Sequence, residues 1–179
     1  MLFTSDRLGY RPWTGSDYDT LAGLLQDATT MHHWPAPLDD AAVQTWLDRN
    51  VVHFEQHGFS RFCCVLKADE TVIGDVGVVH ASVRGQAALD LGYIIHADYW
   101  QQGFGVEAAA AVLDWIAGEQ KLPLGQTIVA TMATDNTGSA AIARRLGMEL
   151  VDQFINANNL HKQTYYFAQS LAELTGQRR

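Results

Sequence analysis

The sequence predicts an α/β fold, in which about four helices pack on the faces of a mixed sheet of about seven strands. The first observation is the order of the predicted elements: strand, two helices, three strands, helix, strand, helix and two strands. Strands interleaved with helices in this way are typical of a mixed sheet covered on both faces. The second is composition, because 47% of the 179 residues are hydrophobic and 18% are charged. We therefore expect one globular domain over residues 1–179.

The amino-terminal third of the chain predicts one strand and two helices. Residues 4–13 are predicted as the first strand. Apolar residues at helical spacing predict a first helix over residues 16–27. Aspartates within residues 38–40 are N-cap candidates for a second helix. Gly58 is expected to end that helix, because glycine readily adopts the left-handed conformation found after helices.

The middle of the chain changes to strand patterning. Residues 62–66, 71–79 and 89–95 are predicted strands, since each is a short apolar run bounded by turn residues. Gly74 and Gly77 lie inside the second of these strands. Glycines at such positions suggest a bend or a bulge.

The carboxy-terminal half alternates again between helix and strand. We predict helices over residues 104–119 and 140–146, a strand over residues 128–132, and a terminal strand pair over residues 148–155 and 163–167. The residues after 169 are predicted to be a short helix or a frayed end.

A turn containing two glycines joins the strand 89–95 to the helix that follows. Gly103 and Gly105 lie two residues apart at the point where the helix begins. Glycine allows a ligand to approach the backbone closely, and the first N–H groups of a helix are free and lie at the positive end of its dipole. The turn is therefore suited to bind phosphate. A plain connection without a ligand is the alternative from these residues alone.

The same turn resembles the pyrophosphate loop of the GNAT acyltransferase superfamily. The family pattern is Arg/Gln-x-x-Gly-x-Gly/Ala, and Trp100, Gly103 and Gly105 stand at its defined positions. Trp100 departs from the Arg or Gln of that pattern, but is similar to the Tyr-Trp-Gly-x-Gly form in the subfamily of ribosomal-protein N-terminal acetyltransferases. Glu107 and Ala108 fall where that subfamily has Glu-Ala.

Three further segments extend the resemblance over nearly the whole chain. Residues 4–13 are similar to a Thr-x-Arg-Leu-x-Leu-Arg-Pro opening, and residues 89–95 to a Glu-Leu-Gly-Tyr strand with Asp90 at the carboxylate position. Residues 135–148 resemble the family's Asn-x-x-Ser helix. Members often carry, at the position of Ala143, a Tyr that protonates the leaving thiolate, so another group must act here. The resemblance also implies that the sheet is mostly antiparallel.

The resemblance implies that the protein is an N-acetyltransferase. Such an enzyme would move an acetyl group from acetyl-CoA to a primary amine by direct attack in a ternary complex. The acceptor would be a protein N-terminus or a small-molecule amine. Trp34, His161, Tyr165 and Tyr166 either line the acceptor end or are packing residues. The alternative, which Ala143 permits, is a non-catalytic acyl-CoA-binding regulatory module.

The resemblance also assigns site residues, most of them through their backbone. The loop N–H groups would hold the pyrophosphate, and the end of the preceding strand would pair with the pantetheine amides. The expected cofactor-binding residues are Ile94, Ile95, Gln101, Gln102, Gly103, Phe104, Gly105, Val106, Asn136 and Ser139. The expected catalytic residues are Asp90, Ser139 and Tyr93. Asp90 is the candidate base, or else an exposed aspartate; Asn136 could be a helix cap alone. Tyr165 or a water molecule are further candidates for the acid.

Charge, cysteines and histidines narrow the possible partners. The net charge of −8 and the pI of about 5.2 argue against nucleic acid and mildly favour a cationic acceptor. Cys63 and Cys64 should point to opposite faces of a strand as reduced thiols. His53 and His57 lack an evident third ligand, so we expect no metal. Without an apolar run of ~20 residues or a signal pattern, we expect a cytoplasmic monomer or homodimer with no membrane contact.

Overall fold

One eight-stranded sheet organises residues 1–176, the part of the chain that the computed structural model describes. The strands are β1 (Phe3–Thr4), β2 (Leu8–Pro12), β3 (Arg61–Leu66), β4 (Val72–Val83), β5 (Gln86–Ile95), β6 (Thr127–Ala133), β7 (Glu149–Asn156) and β8 (Lys162–Ser170). The α-helices are α1 (Tyr18–Leu25), α2 (Asp40–His57), α3 (Phe104–Gly118), α4 (Thr137–Arg145) and α5 (Leu171–Gly176), with 3₁₀ turns at Gly15–Asp17 and Ala97–Tyr99. No helix within residues 1–176 combines the length and apolar character that crossing a membrane requires.

The sheet is mixed and mostly antiparallel, which confirms the predicted fold class. Its strand order is β1-β2-β3-β4-β5-β6-β8-β7. Among the described strands, β5 and β6 form the parallel pair, and they are joined through α3. They pair at only two positions, Leu89 with Ile128 and Asp90 with Val129. Beyond these residues β5 and β6 diverge and leave a gap in the sheet.

Two hydrophobic cores lie on opposite faces of the sheet. One contains buried residues of α3 and α5, and the other contains buried residues of α1 and α2. Cys64 belongs to the first core and Cys63 to the second, and both are free and fully buried. The predicted opposite orientation of the two thiols is therefore confirmed.

Glycines act at α2 and β4 as the sequence indicates. Gly58 follows α2 with φ of +70° and its N–H bonds to the Phe54 carbonyl. The register between β3 and β4 shifts beside Gly74, which is the predicted bulge. A Cβ on Gly77 would lie 2.1 Å from the Ser60 carbonyl oxygen, so that position needs glycine for close strand contact.

Several boundaries differ from the predictions for local reasons. The predicted first strand is a hairpin of β1 and β2, because the Ser5 N–H bonds back to the Leu8 carbonyl at 2.9 Å. The hairpin of β4 and β5 is longer than predicted and turns at Arg84 and Gly85, both with positive φ. Helix α4 begins at Thr137, three residues earlier than predicted, since Asn136 rather than a later residue is its N-cap.

Candidate active site

A cleft of about 820 Å³ opens where β5 and β6 diverge. It brings together the end of β5, the loop before α3, the end of β6 and the start of α4. Two more segments complete its wall, residues 32–35 and the turn between β7 and β8. Of the predicted site residues, those lining the cleft are Asp90, Tyr93, Ile94, Ile95, Gln101, Gly103, Phe104, Gly105, Val106, Asn136 and Ser139. Gln102 is the predicted site residue that lies outside this lining.

The loop before α3 presents free backbone N–H groups to the cleft. Gln101 and Gly103 have φ of +61° and +84°, so the chain reverses sharply before the helix. The Glu107 N–H bonds to the Gly103 carbonyl at 3.1 Å. The helical N–H groups before it, from Phe104 to Val106, have no preceding turn to bond and lie at the positive end of the dipole. This arrangement can bind an anion such as a pyrophosphate.

Gly105 has a steric role as well. A Cβ at this position would lie 2.6 Å from Cδ1 of Ile142 on α4, so glycine lets α3 and α4 approach each other beside the cleft.

A polar cluster from the amino-terminal hairpin fixes the loop. Glu107 accepts hydrogen bonds from the Ser5 hydroxyl at 2.7 Å and from the backbone N–H of Arg7 at 2.8 Å, and its other oxygen pairs with Nε of Arg7 at 2.7 Å. The Arg7 guanidinium also donates to the Gln102 carbonyl at 3.0 Å and covers the Phe104 ring. Burial would raise the pKa of Glu107, but these donors hold it below its usual value. Sequence reasoning missed this role of Arg7.

Trp100 covers the end of β5. Its indole N–H donates to the Ile95 carbonyl at 2.7 Å, and its ring lies beside His32. At this position the GNAT pattern has an Arg or Gln. In this chain the tryptophan closes the loop against the strand that lines the cleft.

Backbone groups of β5 face the gap in alternation. The His96 N–H bonds to the Ile73 carbonyl of β4, so the strand alternation directs the polar groups of Ile94 to β4 as well. Those of Tyr93 and Ile95 point to the gap. This corrects the expectation that the backbone of Ile94 would be free to pair with a ligand.

Asp90 lies in the cleft beside an arginine. Nη2 of Arg61 is 3.3 Å from its carboxylate, and the Asp90 side chain is 19% exposed. Burial raises the pKa of Asp90, while Arg61 opposes the rise. The guanidinium lies flat on Gly92, where a Cβ would fall 2.1 Å from its carbon. A raised pKa makes a carboxylate a stronger base, so Asp90 is a candidate proton acceptor in the cleft.

The same arginine reaches a second carboxylate behind the cleft. Asp75 is fully buried, accepts hydrogen bonds from the indole N–H groups of Trp13 and Trp46 at 2.7 and 3.0 Å, and lies 3.7 Å from Nη1 of Arg61. Arg61 is thus held between two carboxylates, with its own position fixed by the buried one.

Tyr93 reaches across the gap to α4. Its hydroxyl donates to the Ser139 carbonyl at 2.8 Å. The hydroxyl oxygen of Tyr93 is also hydrogen-bonded to the backbone of Ala143. Burial and the nearby charge of Asp90 raise the pKa of Tyr93. Its hydroxyl therefore stays protonated at neutral pH. It also reaches the stretch of α4 where the family's usual acid would stand.

Asn136 caps α4 as predicted. Its Oδ1 accepts from the Ser139 N–H at 3.0 Å, which leaves its amide N–H₂ directed away from the cap.

The side chain of Gln102, the predicted site residue outside the cleft lining, donates to the Asp98 carbonyl at 3.1 Å.

Four residues were predicted either to line an acceptor end or to be packing residues. Trp34 lines the cleft, whereas His161, Tyr165 and Tyr166 lie outside its lining. Asn159 takes part instead: its Nδ2 donates to the His33 carbonyl at 3.2 Å, whereas its Oδ1 is buried without a partner among the described residues. An unpaired acceptor at this place suits an N–H group of a ligand.

Comparison with known proteins shows the family and the fold of this chain. The acetyltransferase (GNAT) domain family matches residues 7–149. The uncharacterized protein YkkB of Bacillus subtilis is 26% identical over 145 residues, which cover 80% of this chain and 83% of that protein.

Solved structures of ribosomal-protein acetyltransferases share the fold. The ribosomal-protein-S5-alanine acetyltransferase from Vibrio fischeri superimposes with a TM-score of 0.74 at 21% identity, covering 94% of this chain and 95% of that one. RimL, a ribosomal L7/L12 α-N-protein acetyltransferase in complex with coenzyme A, gives 0.75 at 15% identity and covers 96% and 98%. The predicted resemblance is confirmed, and this chain belongs to the GNAT family of acetyltransferases.

Proposed function

We propose that this protein is an N-acetyltransferase that moves the acetyl group of acetyl-CoA to a primary amine by direct attack in a ternary complex. The observation that carries the proposal is the cleft itself. It joins a helix N-terminus suited to pyrophosphate, an unpaired strand edge on β5, a carboxylate and a protonated phenol. RimL, which has the same fold, is known in complex with coenzyme A.

Acetyl-CoA would be held mainly by the backbone. The N–H groups of Phe104, Gly105 and Val106 receive the pyrophosphate. Tyr93 and Ile95 offer their gap-facing polar groups to the pantetheine amides as a neighbouring strand would. Because Trp100 occupies the Ile95 carbonyl, the N–H of Ile95 and the groups of Tyr93 remain for the cofactor. One of these N–H groups would polarise the thioester carbonyl.

Proton transfer would involve two side chains with shifted pKa values. The attacking amine must lose a proton, and Asp90 accepts it directly or through water. The departing thiolate must gain one, and Tyr93 donates it from its position beside α4. Tyr93 then replaces the acid that Ala143 cannot supply.

The acceptor amine would enter between residues 32–35 and the turn of β7 and β8. Trp34 gives this entrance an apolar wall, and Asn159 gives it an unpaired acceptor. A protein N-terminus and a small amine both offer N–H donors. Proteins of the same fold include RimL, a ribosomal L7/L12 α-N-protein acetyltransferase, and a spermidine N-acetyltransferase, so both classes of acceptor are open. The experiment below decides between them.

The test is release of free thiol from acetyl-CoA with two sets of acceptors. One set is peptides that differ in their first residue, and the other is small primary amines. The same peptides with a blocked N-terminus are the matched control, because they retain side-chain amines but lose the α-amine. We expect thiol release that requires a free amine. Binding of acetyl-CoA without thiol release for any acceptor would favour the regulatory module instead.

A further inference from the structure

Three histidines outside the cleft come together at the end of α2. His53 and His57 are one turn apart on that helix, and His80 lies on β4. One ring nitrogen of each lies within 4.8 Å of the others. The sequence offered no evident third ligand for the helical pair, because His80 comes 23 positions after His57.

The tautomer of His53 is fixed by the backbone. Its Nδ1 lies 2.7 Å from the Phe59 carbonyl oxygen, which can only accept, so Nδ1 carries the proton. Its Nε2 therefore carries the lone pair, which accepts a hydrogen bond from the backbone N–H of His80 at 2.9 Å and lies 3.1 Å from Nδ1 of that residue. Metal-binding histidines typically donate their second ring N–H to a carbonyl in this way.

The surroundings favour neutral rings. Burial, the neighbouring histidines and Arg49 lower the pKa of His53, although the Phe59 carbonyl opposes them. Burial and His57 lower the pKa of His80. Neutral imidazole is the form that binds metals. Neutral rings also do not repel one another, so the three histidines can lie close together. His57 and His80 are exposed, which leaves a path for an ion.

We propose that His53, His57 and His80 bind one divalent transition-metal ion, Zn²⁺ being the ion that best fits. Two nitrogens on one tetrahedral Zn²⁺ lie about 3.3 Å apart, given a bond of about 2.05 Å. The 3.1 Å between Nε2 of His53 and Nδ1 of His80 is close to that value. The ion takes the His53 lone pair in place of the His80 amide and leaves a fourth position open to solvent. An all-imidazole set excludes ions that prefer oxygen, such as Mg²⁺.

Binding at this place would tie the last turn of α2 to β4. Since the unfolded chain does not hold the three rings together, the ion stabilises the folded state by mass action. Its effect is thus measurable as affinity and as thermal stability, without any assay of acetyl transfer.

The experiment uses tag-free full-length protein, freed of metal by a chelator and kept without thiols. Calorimetric titration and thermal unfolding with ZnCl₂ are compared with MgCl₂. We expect one Zn²⁺ per chain, a raised Tm and no effect of Mg²⁺. His57→Ala and His80→Ala should each weaken Zn²⁺ binding at least about tenfold. His161→Asn is the matched control, because it removes a histidine outside the cluster at a φ of +54° that asparagine tolerates.

Equal Zn²⁺ affinity in the wild type and both variants would overturn the proposal, as would a Kd weaker than about 100 µM. Ring-nitrogen NMR of the wild type gives a readout that does not depend on variants folding. The proposal requires that Zn²⁺ shift the ring nitrogens of His53, His57 and His80 among the 7 histidines. Shifts confined to other histidines, or none, would contradict it.

Discussion

At the scale of single residues, burial in the cleft shifts the pKa values of the two groups that we propose to transfer protons. Asp90 is a carboxylate whose pKa burial raises, and Tyr93 is a phenol whose pKa burial and the Asp90 charge raise further from neutrality. The shift makes Asp90 a stronger base than an exposed aspartate and keeps the Tyr93 hydroxyl protonated, but it also makes that phenol a weaker acid. The two shifts share a cause, which is the withdrawal of the sheet gap from water.

Replacement of Asp90 by Asn should lower kcat at neutral pH by about 10²–10⁴-fold while the affinity for acetyl-CoA stays the same. In the proposed mechanism the base is ionised Asp90, so the kcat of the wild type should fall as the pH drops through the raised pKa of that group. The variant should lack this acid limb. Raising the pH should restore part of its activity, since the free amine then needs no base.

The measurement is kcat against pH for both proteins, with acetyl-CoA affinity from calorimetry. Asp152→Asn, on an exposed carboxylate paired with Arg84, is the control for loss of a charge. If kcat depends on pH in the same way in the wild type and in Asp90→Asn, then Asp90 has a structural role and another group is the base.

Replacement of Tyr93 by Phe tests the acid. The variant loses the hydroxyl that donates to Ser139, so kcat should fall at every pH, and stability should fall by about 1 kcal/mol. The paired variant Ser139→Ala removes the other hydroxyl predicted to act while keeping the backbone carbonyl that Tyr93 contacts. Steady-state kinetics of both variants locate the acid: a loss only in Ser139→Ala would transfer the role from Tyr93 to Ser139.

At the scale of elements, the loop before α3 depends on contacts that span the chain. Glu107 lies in the first turn of the helix, and its partners Ser5 and Arg7 come from the hairpin of β1 and β2. These contacts hold the loop in the shape that exposes its N–H groups. Arg7 is a positioning residue here, because it bonds to the loop carbonyl of Gln102.

Arg7→Gln should raise the KM for acetyl-CoA by about tenfold, with a smaller change in kcat, because a loosened loop binds phosphate less well. The stability change should stay within about 1 kcal/mol, since Arg7 is 43% exposed. Arg84→Gln is the matched control, because it breaks an exposed ion pair with Asp152. Steady-state kinetics and thermal unfolding check both variants. Equal KM values in the two would show that Arg7 does not support the loop.

The pH dependence of the same contact follows from the lowered pKa of Glu107. Its stabilising effect is complete above the usual pKa of 4.5 and is lost as the pH falls through the lower value of the folded state.

Sequence reasoning found the elements that carry local signals and missed contacts between distant segments. Gly58 and the turn at Gly103 were predictable because each places a required conformation at a fixed point of the chain. Arg7 and Glu107 are 100 residues apart in the chain, and the local sequence around either residue does not predict their contact. The third histidine at His80 was missed for the same reason.

At the scale of the whole molecule, the fold class followed from element order, but the gap between β5 and β6 did not. The order and the family resemblance imply a mixed sheet, but neither indicates that β5 and β6 stop pairing after Asp90. The gap decides which backbone groups are free. Of the two residues predicted to pair with pantetheine, Ile95 has its backbone groups toward the gap, together with Tyr93, whereas Ile94 has them toward β4.

The whole-molecule charge gives the last prediction. The chain has a net charge of −8, whereas its proposed acceptor is a cation in water and acetyl-CoA is a polyanion. A negative protein attracts the amine over about the Debye length, roughly 10 Å at 0.1 M salt, and added salt weakens this attraction. We expect kcat/KM for the amine to fall several-fold between about 50 and 300 mM NaCl. For acetyl-CoA the dependence should be weaker or opposite, because the global field repels it.

Sucrose at matched viscosity is the control for slowed diffusion. A value of kcat/KM for the amine that does not change with salt would mean that groups within the cleft, and not the net charge, govern its approach.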